Sequence, residues 1–350
     1  MDPVRLWMRL TMLALAALFT AGAARAADIS LLASTAPDRA QKLEAAARKE
    51  GSISLYTSIA QKDLEPVLGP FEKKYGIKVN VWRASGDLII QRIIQEQRAG
   101  RHTVDAVHIT STELEALTRE KLLERIESPY YATLVPGAVP AHKQWASTLL
   151  SAWVQVYNTN TVKKSELPKT YQDLLDPKWK GKLGYEVQDL EWFITVARIM
   201  GGDDKGVQFF RDLVKTNGLS VRKGHTLLDN LVAAGEVPLA LTIYNYMPAQ
   251  AKAQGAPLDW FAIEPVVVRA NGVGVLKNAE HPNAAALFED YMLSEAQPVL
   301  ASLEYVPVST KVDSPLKGLK TQLFDPADEL DHADKWQTLY DRIIVKGNGN

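Results

Sequence analysis

The sequence predicts an α/β fold of two lobes with a ligand cleft between them. Strand-like and helix-like segments alternate over residues 52–120, and a second alternating set covers residues 149–244. Such alternation is typical of βαβ units with parallel strands and right-handed crossovers. An extended segment at 258–268 is long enough to return the chain to the first set, and no linker rich in Pro, Gly or Ser separates the two. Extended crossings of this kind suit a hinge.

The composition is that of a globular chain and excludes several classes of protein. The 350 residues, 46% of them hydrophobic, are enough for two ordinary domains with a large core. The 40 basic and 41 acidic side chains nearly cancel, which argues against a general nucleic-acid binder. The absence of cysteine excludes disulfides, thiolate zinc sites and a cysteine nucleophile.

The N-terminus has the pattern of a secretory signal peptide. Arg5 and Arg9 precede an apolar run at 10–20, and small residues lead to Ala24-Arg25-Ala26. The run is shorter than the roughly 20 apolar residues of a spanning helix. We therefore expect residues 1–26 to be cleaved and the mature protein to be exported to the periplasm.

The first lobe is assigned to residues 27–150. Its helix at 63–75 has apolar residues at helical spacing, and Pro70 within it predicts a kink or break. The remaining elements, in chain order, are helix 39–50, strand 52–57, strand 78–82, helix 87–99, strand 104–109 and helix 112–120.

The second lobe is assigned to residues 151–265, and residues 266–320 return to the first. The second-lobe elements are strand 149–158, short helix 171–175, strand 183–185, helices 191–200, 205–217 and 226–234, and strand 238–244. Gly201, Gly202 and Gly235 stand where helix C-termini favour a left-handed residue. The strand at 258–268 leads to a strand-like piece at 271–275 and a helix at 282–293, and residues 321–350 form a helical tail.

Signatures of common enzymes are missing from the sequence. It contains no H-E-x-x-H, G-x-S-x-G, Walker A or complete G-x-G-x-x-G motif, and its six histidines form no pair at metal-binding spacing. A secreted hydrolase with Asp189 or Glu191 as general base is an alternative function. The spacing supplies no nucleophile, base and orienting group in mutual reach. A structural or partner-binding periplasmic protein is a further alternative.

Polar residues follow three strands of the first lobe where each strand ends. In open α/β sheets the carboxyl ends of the strands, beside helix N-termini, bind ligands with oxygen-bearing or anionic groups. These residues are Thr57 and Ser58, Arg83 and Ser85, and Thr110 and Ser111. Ordinary helix N-capping is the alternative role for the hydroxyls.

The second lobe offers acids, an imidazole and aromatic rings at the corresponding places. Asp189, Glu191 and Trp192 begin a helix, His225 precedes another, and Tyr244 and Tyr246 close a strand. The acids could instead complement a helix dipole and the rings could belong to the core. Together the residues suit either a hard cation or an organic cation.

The chain resembles the periplasmic solute-binding proteins of ABC importers, in the group that contains ferric-iron-binding and thiamine-binding proteins. The similar segments are 51–57, 71–79, 176–184, 235–238 and 271–275. The resemblance implies a two-lobe clamp that closes on a small ligand and presents it to an inner-membrane permease. It implies a monomer that catalyses no reaction and holds no cofactor, with bound ferric iron as cargo.

The resemblance leaves two classes of ligand open. Ferric members hold iron with adjacent tyrosines after the strand that here ends at Tyr244; Tyr246 matches one position and Asn245 occupies the other. Alternation along a strand would place Tyr244 and Tyr246 on one face. The candidate metal ligands are Tyr246 and Tyr244, together with Glu191, Asp189 and His225, which could complete a metal site different from that of the ferric members. Alternatively, Arg83 and Ser85 suit a small organic ligand such as thiamine or an organophosphonate.

Overall fold

A computed structural model describes residues 29–347 of the chain. The predicted signal peptide, residues 1–26, lies outside the described part. Among the residues that are described, no helix combines the length and apolar character needed to cross a membrane.

The strands form a continuous twisted sheet that runs through both lobes. The order along it is β2-β1-β3-β9-β4-β7-β5-β6. The strands are β1 Ser52–Thr57, β2 Lys78–Arg83, β3 Ala106–Thr110, β4 Ala146–Asn158, β5 Leu183–Glu186, β6 Ser220–Arg222, β7 Leu239–Tyr244, β8 Leu258–Phe261, β9 Val266–Val275, β10 Val306–Pro307 and β11 Thr321–Leu323. In the first lobe β1 pairs in parallel with β2 and β3, and in the second lobe β5 pairs in parallel with β6 and β7. The long antiparallel pair β4 and β9 joins the lobes.

Helices cover the sheet in both lobes. They are α1 Arg39–Glu50, α2 Leu64–Tyr75, α3 Gly86–Arg98, α4 Ser111–Arg119, α5 Leu190–Ile199, α6 Gly202–Asn217, α7 His225–Ala234, α8 Tyr246–Ala253, α9 Pro282–Met292, α10 Ala296–Ser302, α11 Pro326–Asp331 and α12 Ala333–Tyr340. Glycines in the left-handed conformation end several of them; Gly235, with φ 80°, closes α7 as its sequence position predicts.

Each lobe has its own hydrophobic core. In the first, Phe71 of α2 packs on Phe288 and Tyr291 of α9, so the chain that returns after β9 completes this lobe. In the second, the core includes Trp192 together with Trp336 of the C-terminal tail. The tail is therefore part of the second-lobe core, and it carries β11 in addition to the predicted helices.

Two predicted elements require correction. Helix α2 is continuous through Pro70, so the predicted alternative of a break is absent; its apolar face is buried against the first-lobe core on both sides of the proline. The predicted strand 258–268 is two strands separated by residues 262–265, whereas the predicted piece 271–275 is the end of β9. Pro265 lacks an N–H for the sheet, and the Ile263 N–H donates to the side chain of Gln155 instead of to a strand. Other predicted boundaries differ from the observed ones by a few residues.

Candidate functional site

A cavity of about 330 Å³ lies between the lobes. Turns of the first lobe, strands β4 and β9, the end of β7 and the segment after α10 all contribute to its wall. The polar residues that line it are Ser58, Arg83, His108, Thr110, Ser151, Tyr244, Tyr246, Arg269, Asn271 and Tyr305. The lining holds hydroxyls, phenols and two guanidinium groups, and it includes no carboxylate from the described part of the chain.

The first-lobe wall comes from the strand ends that the sequence singled out. The Ser58 N–H donates to the carbonyl of His108, which fixes the turn after β1 against β3. Nε of Arg83 donates to the carbonyl of Ile59 at 2.7 Å and so anchors the guanidinium beside the same turn. The hydroxyl of Thr110 donates to the Glu113 carboxylate. This wall therefore presents a guanidinium and hydroxyls held by backbone and side-chain bonds.

The second-lobe wall is formed by two phenols. The rings of Tyr244 and Tyr246 stack with centroids 6.0 Å apart and an interplanar angle of 13°. Burial raises the pKa of both phenols, while the nearby Arg269 guanidinium opposes that rise. The two phenol oxygens are hard oxygen donors, of the kind that suits a hard metal cation.

Arg269, on β9, links the phenols to the rest of the site. Its Nη2 donates to Tyr244 Oη at 2.8 Å, and its Nη1 lies 2.5 Å from Glu191 Oε2. The guanidinium also lies 5.3 Å from the ring centre of Trp153. Sequence reasoning missed this residue because the middle of a β-strand carries no local signal for a site; only its pairing with Ser151 of β4 places it at the cavity.

His225 and Asp189 stand behind the phenols instead of lining the cavity. His225 Nε2 is 3.0 Å from Asp189 Oδ1, and the same carboxylate oxygen accepts from Trp153 Nε1 at 2.9 Å. Burial lowers the pKa of His225, but the carboxylates of Asp189 and Glu186 outweigh it and leave that pKa raised. Glu186, Asp189 and His225 bring ligand atoms within 4.8 Å of one another, so these three could also hold a metal ion.

The remaining predicted residues lie away from the cavity. Thr57, Ser111 and Trp192 are in the protein interior; Thr57 accepts the N–H of Ile59, and Trp192 belongs to the second-lobe core. Ser85 is exposed and immediately precedes α3. Its carbonyl accepts the N–H of Ile89 in the first turn of that helix. The Glu191 carboxylate accepts hydrogen bonds from the Thr112 hydroxyl and from Nη1 of Arg269. Position in the sequence alone did not show which side chains near strand ends and helix starts line the cavity and which lie elsewhere.

The lobes contact each other around the cavity. The Thr112 hydroxyl of the first lobe is 3.2 Å from Glu191 Oε1 of the second. Nζ of Lys62, in the turn after β1, donates to Gln250 Oε1 of α8 at 2.7 Å. These two hydrogen bonds cross the cleft at different places, so the lobes are in direct contact in this structure.

Comparison with known proteins places the chain among binding proteins. Residues 49–297 match the family model described as bacterial extracellular solute-binding protein. Iron uptake protein A1 of Synechocystis is 27% identical over 73% of this chain and 75% of its own length. The Fe(3+)-binding periplasmic protein of Serratia marcescens is 24% identical over 69% and 74%, respectively.

Solved structures show the same fold. The Trichodesmium protein IdiA (FutA), solved in complex with iron and citrate ligands, superposes with a TM-score of 0.72 at 25% identity and covers 84% of this chain and 99% of its own. The α/β fold of two lobes predicted from the sequence is thereby confirmed.

Proposed function

Since the chain belongs to the bacterial extracellular solute-binding protein family, as its sequence resemblance indicated, we propose that it binds ferric iron with a small oxyanion in the interlobe cavity. It delivers this cargo to the permease of an ABC importer. The mature protein acts in the periplasm after removal of residues 1–26, as a monomer that catalyses no reaction. Relatives named for iron uptake and ferric-iron binding support this cargo.

The observation that carries the proposal is the pair of stacked phenols, Tyr244 and Tyr246, beside Arg269. Phenol oxygens are hard ligands that suit a hard cation such as ferric iron. Arg83 supplies positive charge for an oxyanion that would complete the coordination of the metal, whereas the charge of Arg269 is balanced by Glu191. Since the lining comes from both lobes, ligand contacts favour the closed state over the open one.

The test is a titration of chelator-stripped protein with ferric nitrilotriacetate. We expect a visible phenolate-to-iron absorption band, iron retained in near-stoichiometric amount after gel filtration, and a smaller radius of gyration in small-angle scattering. Tyr246→Phe should weaken the band, whereas Tyr130→Phe, a matched change outside the cavity, should leave it intact. A wild-type protein that shows no band and retains no iron contradicts the proposal.

A second candidate cargo is an organic phosphate or phosphonate. Arg83 lines the cavity, and the lining includes no carboxylate of the described residues, which favours an anionic ligand over a cation such as thiamine. The charge of Arg269, the second guanidinium of the lining, is already balanced by Glu191. Thermal-shift measurements with phosphonates and phosphate esters on iron-free protein separate the candidates. A rise in melting temperature with these compounds, in a protein that takes up no iron, supports this second cargo.

A further inference from the structure

We infer that Tyr305 is a third phenol that contacts the bound metal ion, and that Asp63 positions it. This inference rests on the proposed binding of ferric iron. Tyr305 follows α10 and lies just before β10, far in sequence from the strand ends that form the rest of the site. Its side chain nevertheless lines the interlobe cavity.

The ring of Tyr305, which belongs to the first-lobe core, contacts the phenols of the second-lobe wall. Its centroid is 5.1 Å from that of Tyr246, at an interplanar angle of 51°. Tyr246 in turn stacks on Tyr244. Three phenols from two separate segments therefore meet at one side of the cavity.

The hydroxyl of Tyr305 has a fixed orientation. It donates to Oδ2 of Asp63 at 2.6 Å, and Asp63 is only 4% exposed. This bond fixes the direction of the phenol O–H, and a metal ion would approach one of the lone pairs of the same oxygen. When a metal ion binds the oxygen, the O–H bond breaks, the oxygen keeps the electron pair, and Asp63 is the acceptor within reach of the proton.

Asn245 explains how the third phenol is held in place. This residue stands between the two predicted tyrosines and is buried, and its Nδ2 donates to the carbonyl of Glu304 at 2.9 Å. Its N–H donates to the carbonyl of Ala152, so both ends of the residue are bonded within the protein. Asn245 thus ties the end of β7 to the residue that precedes Tyr305.

The backbone at Glu304 ends α10 just before Tyr305. Glu304 has φ 68°, the left-handed conformation that commonly terminates a helix. Its N–H donates to the carbonyl of Ala301 and the N–H of Tyr305 donates to the carbonyl of Leu300, so these bonds close the helix. The bond from Asn245 to the Glu304 carbonyl adds a tie between β7 and this helix end.

Ferric nitrilotriacetate titrations of Tyr305→Phe test the inference. The substitution keeps the ring and removes the oxygen, so we expect iron affinity to fall about 100-fold and the phenolate-to-iron band to weaken and shift. Asp63→Asn preserves the shape but not the charge, and a fall of roughly tenfold is expected for a positioning residue. Tyr130→Phe is the matched control and should behave as the wild type does.

The outcomes separate this inference from the proposed function. If the wild type binds iron and Tyr305→Phe has the same affinity and spectrum, the inference is overturned and the proposed function stands. If the wild type binds no iron, both are overturned. Far-ultraviolet circular dichroism and the melting temperature of each variant exclude unfolding as the cause of a lost band. A folded Tyr305→Phe with an unchanged band intensity contradicts a third phenol ligand whatever the affinity.

Discussion

The imidazole of His225 stacks on the ring of Tyr244, with centroids 4.2 Å apart and an interplanar angle of 25°. Nε2 of the imidazole is at the same time 3.0 Å from Asp189 Oδ1. One face of Tyr244 is therefore covered by a ring that is itself anchored to a buried carboxylate. His225 therefore supports the ring of Tyr244 and does not itself line the cavity.

Substitution of His225 distinguishes these two roles. His225→Phe keeps an aromatic ring against Tyr244, so we expect ferric affinity to remain close to that of the wild type. His225→Ala removes the stack, which is worth about 0.5–1.5 kcal/mol, and should lower affinity by up to about tenfold. Isothermal titration calorimetry with ferric nitrilotriacetate measures both variants.

A direct metal ligand would give a different pattern in the same experiment. Phenylalanine offers no lone pair, so His225→Phe would then lose as much affinity as His225→Ala. Asp189 still accepts a hydrogen bond from Trp153 in both variants. Each variant should be titrated well below its own melting temperature, so that the loss of the His225 contact to Asp189 does not obscure the comparison.

Removal of Arg269 should destabilise the protein as well as the site. Its guanidinium is the partner of Glu191, and only 17% and 12% of the two side chains is exposed. Arg269→Met leaves the Glu191 carboxylate without this partner, and a buried pair broken in this way costs about 3 kcal/mol. Chemical denaturation followed by tryptophan fluorescence measures the loss.

The double variant Arg269→Met with Glu191→Gln provides the control. It removes the unpaired charge, so part of the lost stability should return. Both variants lack the donor to Tyr244 Oη, and iron binding should stay weakened in each. Equal stability of the single and double variants would mean that the ion pair is not the source of the loss.

The elements were predictable from sequence where local patterns decide them. The alternation of strand-like and helix-like segments marked most of the helices, and predicted strand ends marked the turns that carry Ser58, Arg83 and Thr110. The break that Pro70 suggested is absent, because burial on both sides of a proline can outweigh one missing hydrogen bond, and no local pattern reports that burial. The sequence prediction also joined β8 to the start of β9 as one strand, since an apolar run does not show where a chain leaves a sheet.

The site was predictable only in part, because some of its residues reach the cavity through strand pairing or through contacts between segments that are distant in the sequence. Tyr244 ends β7 and Tyr246 begins α8, so the rule that ligands bind beyond strand ends brought both to the cavity. Arg269 reaches the cavity because β9 pairs with β4 in a particular register, and Tyr305 does so because Asn245 and Asp63 hold it. Trp192 is adjacent to Glu191 but points into the core, a difference of helix face that a single sequence does not resolve.

Arg83→Lys tests for an oxyanion beside the metal. The arginine is held by its Nε bond to Ile59, and lysine keeps the charge but loses the planar fork that binds oxyanions. We expect added phosphate to strengthen iron binding by the wild type and to have a much smaller effect on Arg83→Lys. Arg101→Lys, an exposed position outside the cavity, is the control and should respond as the wild type does. An equal phosphate effect in all three proteins would remove Arg83 from the site.

The buried carboxyl of Glu289 should make stability depend on pH. Burial raises the pKa of this group to about 8 in the folded protein, while Tyr131 donates to its Oε1 at 2.7 Å. Between the ordinary value near 4.3 and this raised value, the folded state holds the proton more tightly than the unfolded state does. The free energy of unfolding should therefore fall as pH rises through this window, by at most about 1.4 kcal/mol per pH unit from this group.

Urea denaturation at pH 5 to 8 tests this dependence. Glu289→Gln cannot ionise, so its free energy of unfolding should decline less steeply with pH than that of the wild type or of the exposed control Glu236→Gln. Parallel declines in all three proteins would show that Glu289 does not titrate in this range.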